Sequence, residues 1–290
     1  MHETIERLTA GGPVVTDGAW GTQLQQRGLA VGGCPDAWNL TEPEKVEEVA
    51  RAYVQAGSQV ILTNTFGANR FVLARHKLDD KVAEINRAGV EISRRAADGR
   101  AKVFASIGPS GVMLMMGKVS EAELQAAFAA QAEAMAEAGA DGIVVETMAD
   151  PAEARLAVAA GRATGLPVVA CMTFDSGPSK DRTMMGTTPE QAARELTSAG
   201  ADVIGANCGQ GIAGFVEICR RLYAATNGPV WIKPNAGLPE LVDGRTVYRQ
   251  TPEQFAAYVP QLVEAGAGFV GGCCGTTPEF IRAVRERLRR

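Results

Sequence analysis

The stretches "EAGADGIVVET" (137–147) and "SAGADVIGANC" (198–208) share one grammar: a helix end of small residues, a glycine, a β-rich run, and a polar or sulfur-bearing tip. The pattern returns as "QAGSQVILTN" (55–64) and "EAGAGFVGGCC" (264–274). Glycine at that point suits a left-handed helix cap, because it has no Cβ to clash there. Recurrence of the phrase marks one supersecondary unit used several times. Each copy predicts a helix, a glycine stop, a strand and a functional tip.

Working outward, further apolar runs fall between the copies at "PVVTDGA" (13–19), "VFASIGP" (103–109), "PVVACMTF" (167–174) and "PVWIKPNAG" (229–237). Helices are predicted over 42–56, 79–97, 120–138, 150–164, 189–199 and 278–288. Thr41, Ser120, Asp150, Thr188, Thr251 and Thr277 stand as N-caps, and Pro43, Pro151, Pro189, Pro252 and Pro278 lie at or just inside helix starts. About eight strand–helix units result, with short strands apolar on both faces. That pattern predicts an α/β fold with a parallel sheet, closed as a single (β/α)8 (TIM) barrel covering 1–290 as one domain. A doubly wound open sheet is the competing architecture, but "TDGAWGTQ" (16–23) lacks its glycine-rich phosphate fingerprint.

Composition excludes several classes of function. With 290 residues, 46% of them hydrophobic, 21% charged and a net charge of −4, the chain reads as globular with ample length for a large core. Beyond the terminal pair Arg289–Arg290 there is no basic tract, so no nucleic-acid partner is expected. The opening "MHETIERLTAGGPVV" carries acids and lacks a secretion-signal core, and no apolar run is long enough to span a bilayer. The expectation is a cytoplasmic protein with no membrane partner. In that reducing setting the six cysteines (34, 171, 208, 219, 273, 274) read as thiols, some of them metal-bound, rather than bridges. A disulfide between the neighbours Cys273 and Cys274 would be strained.

A barrel of this kind carries its chemistry at the C-terminal ends of its strands. There the sequence places Asp17, Asn64, Glu146, Cys208, Asn235, Cys273 and Cys274. Cys208 ends the sixth strand and the cysteine pair ends the eighth. All three sulfurs can face one ion if the chain kinks at Gly271 and Gly272, since successive strand side chains otherwise point to opposite faces. Three protein ligands with a fourth position open is the pattern of a catalytic zinc. The two histidines, His2 and His76, sit at no strand end and read as surface residues, so sulfur must carry the metal. Cys34, Cys171 and Cys219 read as packing residues.

Six segments, "DGAWGTQLQ" from 17, "NTFGANR" from 64, "ETM" from 146, "GANCGQG" from 205, "KPNAGLP" from 233 and "GGCCGTTPE" from 271, resemble the zinc-dependent homocysteine S-methyltransferase family. That family includes betaine-homocysteine methyltransferase and the homocysteine module of cobalamin-dependent methionine synthase. The likeness runs nearly the whole chain in the right order. It implies a (β/α)8 barrel with Zn2+ on Cys208, Cys273 and Cys274, the homocysteine thiol taking the remaining position. Asp17, Gly18 and Ala19 would form the loop that holds the amino acid, Glu146 would receive its ammonium, and Asn235 would be a fourth ligand or near neighbour of the zinc. The implied activity is methionine formation by attack of the homocysteine thiolate on an activated methyl donor. Physical chemistry agrees: zinc deprotonates a thiol, and three thiolates leave the centre negative enough for a fourth to stay nucleophilic.

Betaine is the leading donor, because a quaternary ammonium favours aromatic faces and Trp38, Trp20, Phe66 and Tyr248 fall in or near loops. Trp38, in "PDAWNL", resembles the tryptophan that follows the first strand in the betaine enzymes. Gly67 and Thr147 stand where the animal enzyme has tyrosines, which keeps S-methylmethionine, or a methyl-corrinoid protein supplied in trans, as alternatives. The chain contains no aspartate-x-histidine cobalamin motif of its own. "FDSGPSKDRTMMG" (174–186) is expected to form a mobile lid over the fifth strand. A reading of a different class is a non-catalytic zinc-binding barrel subunit.

Overall fold

The recurring phrase folds as its glycines require. In the computed structural model, which describes residues 1–242 and 245–289, Gly57, Gly139, Gly200 and Gly266 all take positive φ, between 87° and 104°. Each stops a helix and turns the chain back into the sheet. The strands are β1 (Val14–Val15), β2 (Val60–Ile61), β3 (Lys102–Ile107), β4 (Gly142–Met148), β5 (Val168–Met172), β6 (Val203–Gly211) and β7 (Val230–Asn235). A small hairpin of β8 (Glu240–Val242) and β9 (Arg245–Val247) follows, then β10 (Ala267–Val270). The large sheet has eight parallel strands in the order β1-β10-β7-β6-β5-β4-β3-β2, flanked by helices. This is the expected (β/α)8 barrel.

Side chains complete its seam. Between β1 and β2 the Gln59 amide donates to Val15 O at 2.8 Å, and the Val15 amide donates to Gln59 Oε1 at 3.0 Å. One step higher, the Leu62 amide donates to Asp17 Oδ2 at 2.7 Å. Asp17 thus replaces a ladder carbonyl at the mouth of the barrel.

The interior is filled rather than hollow. Val14, Val144 and Val169 pack around Trp231, whose ring stacks on Phe104 (6.2 Å, 12°) and tilts against Phe269 (4.9 Å, 31°). Ile5, from the N-terminal helix Glu3–Thr9, plugs the floor of the same cluster. Gly205 on β6 makes room for its neighbours on β7 and β5: a Cβ there would lie 2.3 Å from Trp231 O and 2.7 Å from Cys171 Sγ.

Local capping largely follows the sequence. Ser120, Thr188 and Thr251 form capping boxes with Glu123, Gln191 and Gln254, and Asp150 accepts from the Ala152 amide at 2.8 Å. Three details differ. Glu42, not Thr41, precedes the helix Pro43–Ala56; Thr41 closes the short helix Trp38–Thr41, its hydroxyl donating to Ala37 O. The predicted helix 79–97 opens as a 3-10 turn, Asp79–Lys81, before Val82–Ala97. Thr277 occupies the cap position but gives its hydroxyl to Glu279. The segment 174–186 does not lie over the cavity. Asp175 and Ser176 amides bond Arg182 O, and Arg221 of the helix Ile212–Thr226 holds Asp181 at 2.6 Å, so the segment is pinned to the barrel wall. No described helix is long and apolar enough to cross a membrane. Arg290, half of the terminal basic pair, lies outside the described residues.

Gly205→Ala is expected to lower unfolding stability by about 1–3 kcal/mol through overpacking against backbone that cannot yield. Urea denaturation checks this; an unchanged midpoint would mean β6 and β7 can separate locally.

Candidate active site

Cys208 and the Cys273–Cys274 pair meet at the mouth of the barrel. Their sulfurs all lie within 4.8 Å of one another, with Cys208 and Cys274 4.0 Å apart. Tetrahedral thiolates about 2.3 Å from one zinc ion stand about 3.8 Å apart, so the trio fits Zn2+ with one position left over. Two backbone devices aim the sulfurs. On β6, Cys208 (φ 61°) and Gly209 (φ 73°) are left-handed, and the register with β7 slips between Asn207 and Gly211. Such a bulge re-aims a side chain at the cost of local strain. Past β10 the expected kink at Gly271 and Gly272 takes another form, since neither has positive φ and the left-handed turn falls at Gly275 (φ 81°). Gly271 serves close packing instead: a Cβ there would lie 2.0 Å from Thr16 Oγ1. The Cys273 amide donates to Pro234 O at 2.7 Å and the Ala236 amide to Cys274 O at 3.0 Å, zipping the turn to the end of β7.

Three thiols this close cannot all ionise. Hydrogen bonds from Cys273 and Cys274 pull the Cys208 thiol well below its ordinary value, and the same contacts with Cys208 push Cys273 and Cys274 up. The contacts thus lower one thiol and raise its two neighbours, a donor set from which a dication displaces protons as it binds. Zinc binding at pH 7 is therefore expected to release about two protons per ion. Calorimetry in buffers of different ionisation enthalpy measures that number, and zero release would mean the metal sits elsewhere.

Above the sulfurs opens a cavity of about 550 Å3, lined by Gly18, Ala19, Asn64, Glu146 and Thr147 on its inner walls. Glu146 is buried and accepts from Ser106 Oγ at 2.5 Å. Burial pushes its carboxyl up, opposed by the charge of Lys233 and by the Ser106 hydrogen bond. Asn207, fully buried, ties the site together. Its Oδ1 accepts from the Thr147 amide at 2.7 Å, and its Nδ2 donates to Thr147 Oγ1 at 2.7 Å, with longer contacts to Glu146 Oε2 and Cys273 Sγ.

Asp17 is placed differently from the expectation. It is fully buried behind the cavity, where it pairs with Lys233 and accepts from Trp20 Nε1 at 2.8 Å and the Leu62 amide. Burial alone would lower the Lys233 ammonium; Asp17 and Glu146 outweigh it and move the group up, so it stays charged. Gly18 and Ala19 do line the cavity, although the Ala19 amide is already given to Thr276 Oγ1 at 3.1 Å. Asn235 is buried beside the thiols, where it helps to lower the Cys208 thiol, while its Oδ1 has no hydrogen-bond partner among the described residues. Trp38 does not reach the cavity. It packs on the hydrophobic core with the Lys45 ammonium 4.9 Å from its ring centre. Trp20 and Phe66 line the cavity, and Tyr248 contacts Cys274 from its edge.

Residues passed over in the sequence also belong here. Lys233 interrupts an apolar strand and Asn207 directly precedes Cys208, so both carried a readable signal. Arg75 and His76 line the outer part of the cavity, although His76 reads as an ordinary surface residue.

Residues 14–288 match the model of the family described as homocysteine S-methyltransferase. The chain belongs to that family. Members similar to it include methionine synthase of Mycobacterium tuberculosis, 34% identical over 93% of this chain and 24% of that protein, and betaine–homocysteine S-methyltransferase 1 of Danio rerio, 31% identical over 98% and 75%. The chain thus spans about a quarter of the length of the mycobacterial methionine synthases it matches. Among solved structures, the metallated homocysteine methyltransferase MmuM from Escherichia coli superposes with a TM-score of 0.82 at 25% identity, covering 98% of this chain and 99% of that one.

In this member of the homocysteine S-methyltransferase family one further acid faces the cavity. Asp36 is 3% exposed, and its Oδ1 accepts from the Gly67 amide at 2.9 Å. No cation lies within ion-pair distance among the described residues, and burial pushes its carboxyl up to about 6. An acid whose folded pKa exceeds its ordinary 3.8 leaves stability intact below that value and erodes it as pH rises through about 6. Asp36→Asn keeps the acceptor and removes the charge. It is expected to be more stable than the wild type by about 2–3 kcal/mol at pH 7.5, with the difference vanishing near pH 4, as read by denaturant unfolding at the two pH values.

Proposed function

We propose that the chain methylates homocysteine to methionine using Zn2+ held by Cys208, Cys273 and Cys274, with betaine as the leading methyl donor. The observation that carries the reading is the three-sulfur cluster at the floor of a cavity that also holds a buried carboxylate. Zinc bound there supplies a substrate sulfur that is deprotonated at neutral pH yet still nucleophilic.

The chain's own residues do the rest. Glu146 takes the ammonium of the amino acid; it is braced by Ser106 and Asn207, and an incoming cation offsets the burial that now raises its carboxyl. Gly18 and Ala19 shape the wall beside it, held by Tyr53, whose hydroxyl donates to Ala19 O at 2.7 Å. Asn235, with its unpartnered Oδ1 beside the thiols, is placed to complete the donor set before substrate arrives. Trp20 and Phe66 give the onium group aromatic surface. As the S–C bond forms the N–C bond breaks, and its electron pair stays on nitrogen. The donor leaves as a neutral tertiary amine, and the product as a thioether that holds a metal less tightly than a thiolate does.

A second reading draws on the rim. Met113, Met115, Met116, Met184, Leu238 and Leu241 all lie in the segments that connect barrel strands to the helices after them, and each is more than half exposed. An apolar rim of this kind suits a docking protein, and with the likeness to methionine synthases it favours a methyl-corrinoid protein as the alternative donor. The test is methionine formation by the zinc-loaded chain with homocysteine and glycine betaine, with Cys273→Ala as blank. Turnover that falls to background in the variant is the expected result. Homocysteine binding without turnover would move the donor to a sulfonium compound or to a carrier protein, and zinc-edge spectra showing no added sulfur ligand would indicate a non-catalytic zinc barrel.

A further inference from the structure

The cavity has two ends of unlike charge. Its buried end holds the three cysteines and Glu146, while its exposed end is walled by the segment that carries Arg75 and His76. Neither Arg75 nor His76 lies within ion-pair distance of a carboxylate among the described residues, although the protein forms ion pairs widely elsewhere. The Arg75 guanidinium makes only long contacts, 3.5 Å to Ser110 O and 3.4 Å to Gly111 O, which are too weak to satisfy its donors. Its path is nevertheless built. A Cβ on Gly111 would lie 2.2 Å from Arg75 Nη2, so the loop after β3 is cut back where the guanidinium crosses it.

Phe66, Trp20 and the buried carboxyl group of Asp36 line the same cavity. Phe66 lies flat on the backbone, with its ring carbons 2.6 Å from where a Gly108 Cβ would be. The cavity therefore offers a guanidinium without a carboxylate partner and an imidazole at its exposed end, aromatic surface and a buried carboxyl group on its walls, and sulfur at its buried end. A small molecule that meets this order carries a carboxylate at one end, a positive onium centre next to it, and a methyl group at the other end.

We propose that Arg75 and His76 hold the carboxylate of a zwitterionic onium donor at the outer end of the cavity, and that this contact selects carboxylate-bearing donors over onium compounds that lack one. Guanidinium is suited to the task, since its planar donors match a carboxylate in pairs. The contact also fixes direction: with the carboxylate held outside, the onium methyl points at the thiols. The assignment rests on the reading above that the donor is a small molecule.

The experiment compares glycine betaine with choline, which has the same trimethylammonium group and a hydroxyl in place of the carboxylate, in the zinc-loaded wild type and in Arg75→Gln, His76→Gln and the double variant. The wild type is expected to use betaine and not choline. In the double variant the KM for betaine should rise about 10- to 100-fold, the loss of one charge-assisted contact, with the KM for homocysteine unchanged. A second readout needs no turnover: the melting-temperature shift produced by dimethylglycine, the carboxylate-bearing amine product, should shrink in the variants while that produced by homocysteine stays. An unchanged betaine KM, or a wild type that uses choline as well as betaine, overturns the assignment and leaves the homocysteine site standing. Homocysteine binding with no transfer from either donor overturns it too and moves the donor to a sulfonium compound or a carrier protein. Failure to bind homocysteine at all would instead strike the function proposed for the sulfur cluster.

Discussion

Everything at the mouth of this barrel is hung on the buried pairing of Asp17 with Lys233. One carboxylate oxygen meets the lysine of β7, and the other accepts from Leu62 above β2 and from the indole of Trp20. Three separate stretches of chain therefore converge on one acid at the seam where β1 and β2 lack a regular ladder. Neither partner has an alternative in so dry a place. Loss of one would strand a buried charge at a cost of about 3–5 kcal/mol, far more than the intact pair contributes.

That pairing also sets the charge of the pocket. Lys233 offsets Asp17 and lies close enough to Glu146 to oppose the rise of its carboxyl. The wall behind Gly18 and Ala19 is accordingly close to neutral, and the uncompensated negative character of the inner cavity belongs to the sulfurs and Glu146. Asn207 spreads the constraint sideways. By bonding both the amide and the hydroxyl of Thr147 it holds the left-handed residue after Glu146 against β6, next to Cys208. The carboxylate and the sulfurs are thus positioned by one amide.

Stability is given up where function is placed. Cys208 and Thr147 are left-handed without being glycine, and Asp36 is a buried acid without a cation. The interior beneath absorbs such costs through the packing of Trp231, Phe104 and Phe269, and the glycine at 205 shows how tightly that layer is filled. Small local violations over a well-packed floor are what an active site on a rigid scaffold requires.

The barrel and its sulfur cluster were legible in the chain itself, because both depend on short-range pattern. A glycine that closes a helix can turn left-handed without a Cβ clash whatever surrounds it, apolar runs flanked by helices have few ways to bury both faces, and cysteines at strand tips share an end of any parallel barrel. The helix Ile212–Thr226 was harder to see, since its cap is Gly211 and no side chain announces it. Where Asp17, Trp38, Arg75 and His76 stand relative to the cavity was decided only by the tertiary structure. Whether a strand-end acid faces a ligand or a lysine depends on what another strand, more than two hundred residues away, brings beside it. Likewise an indole or an imidazole on a loop faces inward or outward according to how the loop packs. Sequence determined which groups stand at the mouth; long-range packing determined which of them the cavity can use.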